Sequence, residues 1–344
     1  MRSSLVAVLP GLLLALAAAP PARAQPEPEA PRFARGVLSF TYENDMFADT
    51  DRYYTSGQRI AWQSRGGAPD PLATAGGWLA PWLLPRDATV EWGVSLGQTI
   101  YTPRARLTRD PPRDDRPYAA SLTAALSLVA ASDARLGAVA LSLGVVGPAA
   151  LGEQVQDLVH DAIGVEKLGG WGHQIGNRPV AMLTLEQRWR LERTLARGPR
   201  RPFGGPFEID AVPGLGLHLG NLQTSAGAGL LLRLGQGLAM DFGPPRMPPS
   251  LSSVAVFRPP EGLAWYVYAG VEGRAVAYDA TLDGNRNGYW RIDRRPLVGE
   301  VAAGLALAWG PLRLDGSVVF QSATFDEQSR TPHAFTATSL SLAF

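Results

Sequence analysis

Residues 42–62, YENDMFADTDRYYTSGQRIAW, place many oxygen-bearing side chains in the connection between two predicted strands. Asn44, Asp45 and Thr55 supply amide, carboxylate and hydroxyl groups, which are potential ligands for a metal ion. A structural alternative stays open, in which the same polar residues only cap a hairpin. That alternative consists of Asx turns at Asn44 and Asp49, an ion pair between Arg52 and Asp51, and Tyr53 and Tyr54 in an aromatic girdle.

A later connection, residues 148–179, contains a predicted helix at 152–164. Its apolar stripe has helical spacing and consists of Val155, Leu158, Val159, Ala162 and Ile163. His160 lies beside that stripe, and Glu166 follows shortly after the helix. A single histidine on a helix is usually structural, but a neutral imidazole is also the natural general base for activating water.

Residues 101–116 form a second polar connection that is rich in arginine and aspartate. The arginines are Arg104, Arg106, Arg109, Arg113 and Arg116, and the aspartates are Asp110, Asp114 and Asp115. These charges could simply neutralise one another in a solvated loop. They could also bind phosphate, because the planar guanidinium donates paired hydrogen bonds to phosphate oxygens.

Twelve strand-like segments surround these connections, and many are longer than the ~5–6 residues typical of soluble proteins. They span 36–46, 54–65, 89–100, 117–131, 135–147, 180–193, 206–220, 222–235, 262–278, 294–309, 311–324 and 334–344. Apolar residues alternate with small or polar ones, and the sequence ends on Phe344. Aromatic residues near segment ends are typical of membrane girdles: Trp62, Trp92, Tyr101, Tyr118, Trp265, Trp290 and Trp309. We therefore predict an all-β fold, a 12-stranded antiparallel transmembrane β-barrel with a short helix in an extracellular loop.

The two ends of the chain and its composition predict the domain boundaries and limit the possible partners. Residues 1–24 read as a signal peptide with an A-x-A cleavage site, 25–35 as a disordered leader and 36–344 as the barrel. The chain lacks cysteine, and its net charge of +1 gives no argument for nucleic-acid binding. If the N-terminus is periplasmic, the three polar connections share the extracellular face, whereas 66–88 and 236–261 are longer than periplasmic turns usually are.

Three motifs, in this order, resemble the outer-membrane lipid A 3′-O-deacylase family: YENDMFADTDRYYTSG, then GQTIYTP with DDRPYA, then GVVGPAALGEQVQ and the VH, IG, EK and GW that follow it. The resemblance implies a site between the outer barrel wall and the loop helix. It further implies calcium-dependent hydrolysis of the 3′ ester of lipid A, with lipopolysaccharide of a Gram-negative outer membrane as substrate. We expect the protein to be a monomer.

Carried over by position, the resemblance assigns catalytic roles to Asn44, Asp45, Thr55 and His160, and metal ligation to Asp45, Thr55 and Glu166. Calcium binds about six to eight oxygens of these kinds. Asp45 could alternatively orient the imidazole. Because strict alternation sends Asn44 outward and Asp45 inward, a bulge or an early start of the loop is required for both to serve one site.

The family's basic pair falls on Thr108 and Arg109, because the proline that follows it aligns with Pro111. We expect Arg109 to bind a phosphate of the substrate. Arg104 or Arg106 would supply the second positive charge, which Thr108 lacks. His173 is interpreted as a bystander.

Two other functions compete with the deacylase. An outer-membrane phospholipase would need a serine near His160, and Ser56 is the one candidate in the motif region. A non-enzymatic porin would need a wide lumen, whereas twelve strands give a narrow one. The predicted inward residues are able to fill that lumen with ion pairs: Glu43, Arg59, Gln63, Glu91, Arg188 and Arg190.

Overall fold

The computed structural model describes residues 35–46, 52–79, 82–196, 206–284, 288–329 and 331–344. The predicted signal peptide and almost all of the predicted leader lie outside the described residues, as do Asp49 and Asp51 of the structural alternative. Among the described residues, no helix is both long enough and apolar enough to cross a membrane.

Strands dominate the described chain, and each of the twelve predicted segments overlaps an observed one. The strands are β1 Val37–Asn44, β2 Tyr53–Gln63, β3 Val90–Thr102, β4 Ala119–Ala131, β5 Arg135–Val146, β6 Arg178–Trp189, β7 Leu191–Ala196, β8 Phe207–Gly220, β9 Gln223–Gln236, β10 Leu263–Asp279, β11 Leu297–Trp309, β12 Leu312–Gln321 and β13 His333–Ala343. The helices are α1 Asp70–Leu79, α2 Gly152–Ile163 and α3 Ala280–Asp283.

These strands form one closed antiparallel barrel. Consecutive strands pair with each other, and β1 closes the sheet by pairing with β13 along all its residues. β6 and β7 pair with successive parts of β8, so they occupy one strand position that is interrupted at Arg190. The barrel therefore has twelve strands, which confirms the predicted fold class.

The two faces of the wall differ in polarity. On β1, Leu38 and Phe40 are 41% and 48% exposed on the outside, whereas Thr41 and Glu43 are buried inside. Outward apolar side chains of this kind are expected for a barrel in contact with lipid. The predicted aromatic girdle is correct only in part, because Tyr118 and Trp290 are buried beneath the loops.

Residues 237–262, here called the lumen segment, fold back into the barrel between β9 and β10. Arg188 on β6 donates to the carbonyl oxygens of Phe242 (3.3 Å) and Val254, which anchors the segment to the wall. The segment contains six prolines, which cannot donate ladder hydrogen bonds and so favour an irregular path. The sequence indicated a long connection here but not its course through the lumen.

Buried ion pairs occupy part of the remaining lumen, as predicted for Arg188 and Arg190. Arg188 lies 3.5 Å from Glu186, and Arg190 lies 3.6 Å from Asp210. Asp241 of the lumen segment accepts from Arg233 at 2.5 Å. With polar side chains and the lumen segment occupying the interior, the barrel is a packed structure rather than an open pore.

Candidate active site

The ends of β1 and β2 meet at a β-bulge. The pairing register of β2 with β3 shifts between Tyr54 and Ser56, which leaves Thr55 as the extra residue. Tyr54 consequently points into the lumen, where its hydroxyl donates to Glu43 at 2.9 Å. Thr55 shares a 2.7 Å hydrogen bond with the hydroxyl of Thr102, on the outer side of β3. This bulge lies in β2, whereas for Asn44 and Asp45 the second of the two required features is present, because β1 ends at Asn44 and the loop starts at Asp45.

Asn44 and Asp45 lie beside this bulge, and both are buried. Asn44 donates from Nδ2 to the carbonyl oxygen of Thr55 at 3.2 Å, and its Oδ1 accepts the amide of Met46 at 2.8 Å. Because β1 ends at Asn44, Asp45 is already loop, and its Oδ2 accepts the amide of Arg52 at 2.6 Å. The structure thus brings Asn44, Asp45 and Thr55 together.

The bond from Asn44 to Met46 is the Asx turn of the structural alternative. The Asx turn at Asp49 and the ion pair of Arg52 with Asp51 lie outside the described residues, and the girdle position of the two tyrosines differs from the structure. Tyr53 and Tyr54 are buried beneath loops and in the lumen, not in a girdle at the membrane surface. The Asx turn at Asn44 therefore coexists with the clustering of the three candidate site residues.

The loop that carries α2 packs against the outside of the barrel. Gln98 of β3 lies on the same face as the exposed Leu96, and it donates to the carbonyl oxygen of Ala150 at 2.6 Å. A side chain at Gly152 would come within 2.4 Å of the Cβ of Ala120 on β4. Glycine at this position therefore permits close contact between the start of α2 and the outer wall.

The buried face of α2 is polar. Its buried residues, Gly152, Gln156 and His160, recur every four positions and so share one face. Most of the predicted apolar stripe, which lies beside this face, is exposed: Leu158 and Ile163 are 70% and 47% exposed, whereas Val155 is half-buried. Exposed leucine and isoleucine beside the apolar outer wall suit a helix that contacts lipid.

Gln156 is a candidate residue that the sequence analysis missed. Its Oε1 accepts from the indole of Trp171 at 3.1 Å, and its Nε2 is buried without a hydrogen-bond partner among the described residues. The sequence feature that could have identified Gln156 is its position one helical turn before His160, on the same face of the helix.

A left-handed turn after α2 orients the imidazole of His160. Gly164 ends the helix with φ of 72° and its N–H bonds back to the helix. The chain then returns, and the carbonyl oxygen of Glu166 lies 2.7 Å from Nδ1 of His160. Because a carbonyl oxygen can only accept, Nδ1 carries a proton, and in the neutral form of the ring the lone pair is then on Nε2.

The returning chain is also held by charge. Lys167 forms an ion pair with Asp161 at 2.8 Å, and this hydrogen bond raises the pKa of Lys167. The side chain of Glu166 is exposed. Its contact with His160 is through the backbone.

The second polar loop leaves two candidate phosphate ligands available. Arg104 and Arg109 are exposed, and neither forms an ion pair with a residue that the structure describes; Arg106 is half-buried. Asp115 accepts the amides of Ala105 and Arg116. Arg104 and Arg109 therefore do not take part in the self-neutralising arrangement that the sequence left open, among the residues that the structure describes.

Arg116 fixes the base of the same loop. It is buried, donates to the hydroxyls of Thr281 (2.9 Å) and Thr324 (3.1 Å), and lies over the ring of Tyr101. Burial lowers the pKa of Arg116.

Tyr289 and Trp290 tie the second and third loops together, which the sequence did not predict. The hydroxyl of Tyr289 donates to the carbonyl oxygen of Pro111 at 2.8 Å, and the indole of Trp290 donates to that of His173 at 2.9 Å. The ring of His173 stacks on Tyr289, and its Nε2 lies 3.0 Å from Asp110. His173 therefore makes structural contacts between the extracellular loops.

The oxygens of Asn44, Asp45 and Thr55 are of the kinds that calcium prefers. Within the described ranges, no three or more His, Cys, Asp and Glu residues form a group that could hold a metal. A calcium ion at this position would therefore depend on amide, hydroxyl, carbonyl and water oxygens in addition to carboxylate.

Ser56, the candidate nucleophile of a phospholipase, pairs with Asn44 across β1 and β2. No contact joins its hydroxyl to an imidazole among the residues that the structure describes. A Ser–His pair of the type used by serine hydrolases is thus not formed in this part of the chain.

Comparison with known proteins gives one strong structural likeness. A sequence model of the family described as outer membrane protein LpxR matches residues 10–344. LpxR from Salmonella typhimurium has a similar structure, with 22% identity, a TM-score of 0.72, and coverage of 90% of this chain and 100% of that chain. No curated protein matched the chain.

Two autotransporter domains are much less similar. The β domain of Bordetella BrkA has 13% identity and a TM-score of 0.44, with coverage of 90% of this chain and 100% of that chain. The translocator of Neisseria meningitidis NalP has 9% identity and a TM-score of 0.33, with coverage of 90% and 88%. Of these three structures, the Salmonella one has a TM-score high enough to support an argument, and at 22% identity it supports the fold.

Proposed function

The chain belongs to the LpxR family of outer membrane proteins, and on that premise we propose that it hydrolyses the 3′ ester of lipid A. The products would be lipid A with a free 3′ hydroxyl and a free acyloxyacyl carboxylic acid. Lipid A in the outer leaflet would meet the site sideways, because α2 and the proposed residues lie on the outer wall of the barrel. The proposed residues all come from one chain, so a monomer suffices.

The observation that carries this proposal is the setting of His160. It lies on the buried face of α2, toward the barrel wall, and the carbonyl oxygen of Glu166 fixes its ring through Nδ1. The lone pair on Nε2 is the feature that a general base requires. With Nδ1 already held by a backbone carbonyl, Asp45 is not needed to orient the ring.

In the proposed reaction, Nε2 of His160 takes a proton from water while the water oxygen attacks the ester carbonyl carbon. A C–O bond forms and the carbonyl oxygen becomes an oxyanion. When the bond to the 3′ oxygen breaks, the imidazolium returns its proton to that oxygen. One water is consumed, and no other reactant is needed.

Asn44 is suited to stabilise the oxyanion. One N–H of its amide donates to the carbonyl oxygen of Thr55, and the amide also hydrogen-bonds the side chain of Tyr42, so a substrate oxyanion would take the place of Tyr42. A preorganised donor of this kind typically contributes about 10²–10³-fold in kcat. Asp45 and Thr55, with Glu166, are the proposed calcium ligands, and calcium when bound would polarise the ester carbonyl. Arg109, with Arg104 or Arg106, is proposed to bind a phosphate of lipid A.

Mass spectrometry of lipid A from a Gram-negative host that expresses the full chain tests this proposal. We expect loss of one 3′ acyloxyacyl unit with the wild type, and none with His160→Ala or after chelation of calcium. His173→Ala is the matched control. It removes the other imidazole of the same loop, which stacks on Tyr289 and has no proposed role in the reaction, so activity should remain.

Three results would count against the proposal in different ways. Deacylation by His160→Ala would remove the proposed base but keep the substrate. Full activity in chelator would remove calcium. Unchanged lipid A with release of fatty acid from phospholipid would favour a phospholipase instead.

A further inference from the structure

The inner surface of the barrel wall directly behind the candidate site consists of Glu43 and Tyr54. Successive residues of a strand point to opposite faces, so Glu43 faces the lumen while Asn44 faces outward. The bulge divides β2 in the same way, with Tyr54 inside and Thr55 outside. Each inner residue is thus covalently joined to a proposed site residue on the other side of the wall.

Arg246 of the lumen segment holds this inner surface. Its Nε donates to Oε1 of Glu43 at 2.5 Å, and the amide of Met247 donates to the same oxygen at 3.0 Å. The other carboxylate oxygen accepts from the hydroxyl of Tyr54 at 2.9 Å. Glu43 therefore receives three hydrogen bonds in a buried setting, two of them from a segment some 200 residues away.

Gly57, the cross-strand neighbour of Glu43, leaves the space for this contact. A Cβ at Gly57 would lie 2.1 Å from the hydroxyl of Tyr54 and 2.9 Å from Cγ of Met247. Phe335 closes the other side, with its ring 5.0 Å from that of Tyr54 and 5.4 Å from the guanidinium of Arg246. Arg246 and Tyr54 thus share Glu43 and Phe335 as neighbours, so the position of Arg246 is coupled to that of Tyr54.

We propose that Arg246 is a positioning residue for the outer-wall site. Through Glu43 and Tyr54 it fixes the ends of β1 and β2, and with them Asn44, Asp45 and Thr55. Strand ends are otherwise the parts of a sheet that open most readily. The effect on catalysis rests on the proposed function, whereas the effect on the strand ends does not.

Arg246→Met tests this inference, with Arg188→Met as its matched control. Both variants remove a buried arginine that links the wall to the lumen segment, but Arg188 contacts the carbonyl oxygens of Phe242 and Val254, away from β1. We expect Arg246→Met to lower kcat for lipid A at least ~10-fold with little change in KM, because a misplacement of about 1 Å can cost 10²-fold. Arg188→Met should stay within ~2-fold of the wild type.

Hydrogen exchange measured by mass spectrometry provides a readout that does not depend on activity. In Arg246→Met, the peptide that contains the end of β1 should exchange faster than in the wild type, and in Arg188→Met it should not. If Arg246→Met fails to fold, Tyr54→Phe takes its place in the test. It removes one hydroxyl from the same contact and should give a smaller increase in exchange at the end of β1.

Equal effects of the two arginine variants on both kcat and exchange would overturn the inference. An inactive wild type would refute the proposed function alone, because faster exchange at the end of β1 would still support the role of Arg246. Unchanged exchange there would refute that role whatever the activity.

Discussion

At the scale of single residues, the site depends on two neighbouring side chains that point to opposite faces of the wall. Tyr54 binds Glu43 in the lumen, and Thr55 binds Thr102 on the outside. The bulge at Thr55 makes this possible by shifting the alternation by one residue. The position of Thr55 beside Asn44 is therefore set by the backbone of the bulge and not by contacts of the Thr55 side chain.

The hydroxyl of Thr55 can be tested separately from its hydrogen bond to Thr102. We expect Thr55→Val to lower deacylase activity at least ~10-fold if this hydroxyl serves the reaction as proposed. Thr102→Val breaks the same hydrogen bond but leaves Thr55 in place, so activity should be largely retained. Both variants should lose a similar ~1–3 kcal/mol of stability, because each leaves one buried hydroxyl unpaired.

Initial rates and thermal unfolding of the two purified variants provide the measurement. Equal losses of activity would mean that the hydrogen bond, and not the hydroxyl of Thr55, matters for the reaction.

The sequence predicted features that lie within one short stretch of the chain, but not contacts between residues that are far apart in the chain. Asn44, Asp45, Thr55 and His160 could be proposed because each lies in a short motif of distinctive residue types, and the structure brings the first three together. Arg246 was not found, because its contact with Glu43 joins two distant parts of the chain and lies in a connection with no regular pattern. The orienting group of His160 was also missed, because a backbone carbonyl has no signature in the sequence.

At the scale of elements, α2 is an amphipathic helix whose apolar stripe is largely exposed. Gln156 and His160 are buried against the barrel, whereas Leu158 and Ile163 are exposed. The helical period was correctly predicted from the sequence, but periodicity alone does not say which face is buried. Only the surroundings of the helix decide that, because next to lipid an apolar face is the stable outward one.

The close approach of α2 to the wall gives a prediction for Gly152. We expect Gly152→Ala to lower activity at least ~10-fold without unfolding the barrel, because the added methyl would lie 2.4 Å from Cβ of Ala120 and displace the helix. Gly172→Ala is the control, since a Cβ there meets no atom within 4 Å.

Lipid A deacylation and heat-modified electrophoretic mobility, which reports an intact barrel, would be measured together. Full activity of Gly152→Ala would show that the distance between α2 and the wall is not critical. Loss of the folded band would show instead that the helix is required for the barrel itself.

At the scale of the whole molecule, the barrel could be predicted because its signal repeats in every strand. Long segments, alternating polarity and a terminal aromatic residue each contribute, and errors in single boundaries do not accumulate. The lumen segment could not be predicted in the same way. Its prolines exclude a strand, but no local pattern indicates that a connection turns inward.

The filled lumen predicts that the protein does not conduct ions. Arg233, Asp241 and Arg313 form a buried cluster of ion pairs across the interior, and the lumen segment is bound to several strands at once. We therefore expect purified wild-type protein in a planar lipid bilayer to show no steady conductance, whereas a porin in the same bilayer serves as positive control. A stable open channel would contradict the packed lumen. It would also restore the porin as a competing function, because ions would then have a path past the lumen segment.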